Sequence, residues 1–127
     1  MVKRNTGVAE IQNGPKNYTR VLQHDFGSGD PRANGILLSS GPRNAAYENV
    51  VYNGSSGIAA WRGCDGCGIF NNRISSMDQC LEVSESSGVT VDGNVLSNCG
   101  SVYVSVVNAP AAVVSNTSCD GSAQNCR

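Results

Sequence analysis

Three side chains carry most of the recognition chemistry in this sequence: Trp61, Glu82 and Tyr103. Aromatic rings stack on the C–H faces of sugars, and a carboxylate accepts hydroxyl hydrogen bonds, so the set is what a sugar-binding groove uses. Arg62 adjoins Trp61 and is counted with it. The same residues would equally serve to pack under a loop or against a neighbouring subunit. The elements that position them decide between these uses.

Catalytic equipment is sparse. Asp78 and Glu82 are the candidate carboxylate pair, and an inverting glycosidase needs its acid and base roughly 6.5–9.5 Å apart. A lyase needs a Lys or Arg base, usually with a calcium site of clustered acids. The lysines are confined to Lys3 and Lys16, and Arg62 and Arg73 have no acidic cluster beside them. His24 is the only histidine, and a lone histidine is more often structural. Cys64-Asp65-Gly66-Cys67 has the spacing of half a zinc site, but neither a second half nor a histidine pair accompanies it. Neither metal nor cofactor is expected.

The positioning elements come from a repeat. Cys67, Val89 and Ala111 are 22 residues apart, as are Ile69, Val91 and Val113, and Asn72, Asn94 and Asn116. A fixed period in the 20s signals a solenoid in which each repeat is one rung. Apolar residues alternate at i and i+2 (Leu81 and Val83, Val102 and Val104) before Gly, Asn or Ser intervenes, which is the strand period. One strand family runs through Val50, Ile69, Val91 and Val113, each followed three residues on by Asn53, Asn72, Asn94 or Asn116. A second runs through Gly35-Ile36, Gly57-Ile58, Cys80-Leu81 and Ser101-Val102. Coiled continuously, each strand lies about 4.8 Å above its equivalent, and the aligned asparagines hydrogen-bond in a ladder. With Leu81 and Val83 inward, Glu82 points out beside Leu37, Ala59 and Tyr103. The next outward column is Ser39, Trp61, Ser84 and Ser105.

At these residues, over roughly Gly35 to Ser118, the chain resembles the right-handed parallel β-helix superfamily, the pectin-lyase-like group of pectate lyases, polygalacturonases and phage tailspikes. The resemblance implies an all-β chain folded as a right-handed single-stranded parallel β-helix of about four to five rungs. Ile74-Ser75-Ser76-Met77-Asp78-Gln79-Cys80-Leu81 is similar to the polygalacturonase stretch with paired aspartates. Asp78 matches the first aspartate and Gln79 replaces the second. Asn98-Cys99-Gly100 stands where that family has Gly-His-Gly, and its downstream Arg-x-Lys has no counterpart. The expectation is therefore a non-catalytic structural and polysaccharide-binding module, like a phage or virion spike. The alternative is a polysaccharide lyase or glycoside hydrolase, or a fragment of one, with its site on the Trp61–Glu82–Tyr103 face.

The repeat divides the chain into an N-terminal arm or cap (1–34), rungs (35–118) and a C-terminal cap (119–127). Thr19 to His24 is a candidate first strand. Charged residues are 15% and the net charge is −1, so nucleic acid is not an expected partner. No apolar run is long enough to span a membrane, and no signal peptide is recognisable at the start. The expected location is extracellular or on a virion surface, the expected partner a glycan. Apolar outer positions at Leu37, Val51, Phe70 and Val114 predict a homo-oligomer, a trimer by analogy with spikes. Six cysteines allow 15 complete pairings. Cys80 and Cys99 fall near one turn on neighbouring rungs and Cys119 and Cys126 share the tail, while Cys67 reads as a small buried hydrophobe.

Overall fold

The computed structural model describes residues 9–12, 20–22, 25–27, 34–39 and 41–119. Every regular element among them is a strand, and every strand pairing is parallel. β1 (Ala9–Gln12), β2 (Arg20–Leu22), β3 (Asp25–Gly27) and β4 (Asn34–Ser39) precede three longer turns of chain. The first turn holds β5 (Ala45–Tyr47) and β6 (Val50–Trp61), the second β7 (Gly68–Phe70) and β8 (Arg73–Ser84). The third holds β9 (Thr90–Asp92), β10 (Val95–Ser97) and β11 (Val102–Val107), and β12 (Val113–Ser115) with β13 (Ser118–Cys119) begins a fourth. The larger sheet runs β1-β4-β6-β8-β10-β13, with β3 on β6 and β11 on β8, and the smaller runs β12-β9-β7-β5-β2. This is a parallel β-solenoid. β1 pairs with β4, β2 with β5 and β3 with β6, so the backbones of these three strands, in the stretch before residue 35, continue both sheets.

The core is a column of stacked apolar side chains. Ile36, Ile58 and Leu81 share one level with Val104, and Val51, Ile74 and Leu96 another. The third level is Ala46, Ile69, Val91 and Val114, spaced 23, 22 and 23 residues apart. The strict 22-residue reading is therefore corrected at both ends. The expected family placed Val50, 19 residues before Ile69, and Val113 in this level, but Val50 pairs with Arg73 on the other sheet, Val113 is 54% exposed and Val114 packs on the core. A one-residue slip moves a strand residue to the opposite face. Ala111 likewise gives way to Ala112, and Val51, expected outside, is fully buried.

The corners repeat as columns too. Glu48, Asn71, Gly93 and Asn116 have φ of 60, 56, 73 and 47°, and Asn53, Ser76 and Asn98 have 59, 55 and 51°. Arg62, Glu85 and Asn108 form a third such column at 52, 49 and 50°. Left-handed backbone suits Gly and Asn best, which explains part of the asparagine content. At the occupied corners the backbone N–H bonds onward to the next rung: Glu48 to the Phe70 carbonyl, Asn71 to Asp92, Gly93 to Ser115, and Arg62 to Ser84. The turn is thereby fixed by the same stitching that fixes the strands.

Beside the first of these corner columns runs a buried ladder of Asn49, Asn72 and Asn94. Asn72 and Asn94 are in it as expected; Asn53 and Asn116 are not. They lie on exposed corners, because the 23-residue spacings put Asn49 and Thr117 at the equivalent positions.

Cys80 and Cys99 are bonded to each other with Cα atoms 5.7 Å apart, linking adjacent rungs. Cys64 and Cys67 form a second disulfide, Cα to Cα 5.5 Å, within the turn between β6 and β7. Cys67 is thus buried but not a free thiol. Cys119 is disulfide-bonded as well, and Cys126, its expected partner, lies outside the described residues.

Candidate functional site

The second half of β6 and of β8 forms one wall of the column, where alternation sends Ala59, Trp61 and Glu82 away from the core levels of Ile58, Ala60, Leu81 and Val83. Glu82 pairs across with Ala59, and Ala59 with Leu37. Alanine between two longer side chains leaves a depression. It is a groove of about 160 Å³ lined by Ile36, Leu37, Ser56, Ala59, Trp61 and Glu82. The small residue at 59 makes the space, while Trp61 and Glu82 supply an aromatic face and a carboxylate.

Arg62 follows Trp61 at a left-handed corner, and its guanidinium carbon sits 4.2 Å from the indole ring centre. This is a cation–π contact between an exposed arginine and a half-buried ring, worth about 0.5–1 kcal/mol. Ser84 stands next to Trp61 in its column, and its buried hydroxyl has no hydrogen-bond partner among the described residues.

Tyr103 does not sit opposite Glu82. β11 pairs with β8 so that Val104 meets Leu81 and Ser105 meets Glu82, which leaves Tyr103 7% exposed beside the core. The expected register differed by two residues. A two-residue slip preserves alternation, so periodicity could not detect it. Alternation is itself suspended here, since Cys80 and Leu81 are both buried and so are Tyr103 and Val104. Val107 rather than Ser105 continues the Trp61 column.

Asp78 is exposed, just past the Ser76 corner, and its backbone carbonyl accepts the Ser101 N–H at 2.7 Å. It lies on the same strand as Glu82, and extended backbone separates their Cα atoms by about 13 Å. Asn98 and Cys99, at the position of the absent Gly-His-Gly, are a left-handed corner and a disulfide half. The sulfurs of Cys64 and Cys67 are joined to each other, so in this form they offer no thiolate pair to a metal.

On the smaller sheet, Tyr47, Phe70, Asp92 and Ser115 form an outward column. Ala45, Tyr47, Phe70 and Asn71 line a wide depression of about 400 Å³. Asp92 Oδ1 accepts the Ser115 hydroxyl at 2.7 Å and the Asn116 amide at 2.8 Å. These bonds to its charged form hold the carboxyl below its ordinary value, Ser115 contributing most.

Neither the curated proteins nor the solved structures contain a match to this chain. A family model described as a right-handed β-helix region matches residues 4–126. That match spans nearly the whole chain and agrees with the parallel rungs, the stacked core and the asparagine ladder: the chain belongs to the right-handed β-helix family.

Proposed function

We propose that this chain is a non-catalytic, spike-like β-helix module that binds polysaccharide along the groove of Trp61 and Glu82. The observation that carries the reading is the meeting of an indole face and a carboxylate on adjacent rungs, with Ala59 opening the space between them. A sugar ring stacks on the indole while its hydroxyls donate to Glu82. Asp78 stands just past the Ser76 corner, apart from the groove residues that Glu82 joins, which speaks against an acid–base pair. Disulfides at every described cysteine favour an oxidising location such as the extracellular space or a virion surface. Assembly as a homotrimer belongs to the same reading, with the outer column of Tyr47 and Phe70 as the contact face in place of Val114, which faces the core.

Trp61 is the only tryptophan, so intrinsic fluorescence reports directly on the groove. Titration with a panel of oligosaccharides is expected to give a saturable change that Glu82→Gln weakens, and calorimetric titration is expected to show binding lost in Trp61→Ala. A panel that leaves the emission unchanged, or sugar turnover lost in Asp78→Asn, would overturn the proposal.

A further inference from the structure

We infer that the groove selects amine-bearing sugars, the protonated hexosamine class, over neutral and acidic ones. The inference rests on the glycan-binding reading and concerns which glycan.

Among the described residues that line the groove, Glu82 is the only ionisable one. On the strand that carries it, Asp78 precedes Glu82 by four residues, and Glu85 stands at the left-handed corner just past the strand's end, in the column of Arg62; both acids are exposed. Among the described residues, one arginine borders this wall, Arg62, and its guanidinium is laid over the Trp61 ring. Arg73 projects from the first half of β8, before the Ser76 corner, and Arg43 precedes β5. A uronate bound on the indole would bring its carboxylate toward Glu82 and into an acidic wall, with like-charge repulsion in a partly desolvated groove.

A protonated amine meets the opposite conditions. Glu82 is half-buried, so an ion pair there is less screened than at an open surface. The indole face attracts cations, and Arg62 already places one on it at 4.2 Å. That contact uses the same ring electrostatics that would attract a protonated amine. A neutral sugar keeps the stacking and hydroxyl contacts but lacks the ion pair.

The test is a Trp61 fluorescence titration of the full chain with three tetrasaccharides: glucosamine, its N-acetylated counterpart and galacturonate. It is run at low salt and at a pH where the free amine is protonated. The expected result is at least tenfold tighter binding of the glucosamine tetramer than of the N-acetylated one, and the weakest binding for galacturonate. Glu82→Gln should remove the tenfold advantage by weakening the glucosamine tetramer more than the N-acetylated one, and added salt should erode the advantage in the same way. Glu82→Ser, which places the residue type of Ser105 in the same column, serves as the second variant, with circular dichroism verifying the fold of each. Equal binding of the amine and N-acetyl tetramers, or tightest binding of galacturonate, overturns the amine preference and leaves glycan binding standing. No response to any of the three overturns both.

Discussion

Asn72 donates from its side-chain amide to the Oδ1 of Asn94 at 3.0 Å, and the same oxygen takes the backbone N–H of Asn72 at 2.9 Å. Asn94 in turn donates to the Ile69 carbonyl at 3.0 Å. One fully buried amide therefore satisfies the corner of the rung beside it. Asn94→Ala should lower unfolding free energy by about 1–3 kcal/mol, because it strands buried partners. Asn116→Ala should change it by under about 0.5 kcal/mol, as for an exposed position. Urea denaturation of the two variants checks the register, since a uniform 22-residue repeat requires equal losses.

Asp92 contributes to acid stability through its bonds to Ser115 and Asn116. Its carboxyl titrates lower in the folded chain than in the unfolded one, chiefly through the Ser115 hydroxyl. Between those two values the unfolded chain binds more protons. The stabilisation is thus complete above the ordinary carboxyl range and is lost as pH falls through the folded value. Ser115→Ala should flatten the acid limb of a melting-temperature profile and leave the neutral region nearly unchanged. An identical acid limb in the variant would count against this assignment.

Gly57 lies where a methyl group would run into the backbone carbonyl of Cys80 and the side chain of Ile74. The carbonyl cannot move without disturbing the β6–β8 ladder. Gly57→Ala is expected to cost about 1–3 kcal/mol as an overpacked site. Gly63 has open space around it but a φ of 77°, so Gly63→Ala probes strain alone, and thermal melts of both separate packing from backbone.

Phe70 tests the assembly proposal. It is half-buried on the outer column beside Tyr47. Phe70→Glu should convert a trimer to monomers in sedimentation velocity while the β-rich circular dichroism persists. A wild-type chain that sediments as a monomer at high concentration rejects the trimer.

Much of this architecture is legible in the sequence because solenoid physics is local. Ile69 and Val91 stack, Asn72 and Asn94 pair, and Trp61 and Glu82 share an outer wall, all from one period and one alternation. What escapes is rung length. A corner absorbs an extra residue without any change in residue type, so Val114 was hidden behind Val113, and Asn53 at the next corner, with the same Asn three residues after a valine, stood in for Asn49. Tyr103 was misplaced by a slip that alternation does not register. The Cys64–Cys67 disulfide is a local spacing that fits either a metal half-site or a bond. The groove itself depends on what Ala59 lacks, and a missing volume has no motif.

The Cys80–Cys99 bridge has a mechanical consequence. Each rung is held chiefly by its neighbours, and the backbone bonds joining rungs run along the column. Tension applied along that axis therefore loads the rungs in series, and the column peels like a spring uncoiling from its weaker end. The bridge ties the coil holding β8 to the one holding β10 and β11. While it is intact, peeling from the C-terminal side stops at Cys99, and the load passes through the bridge to Cys80 in β8 without unzipping the chain between the two cysteines.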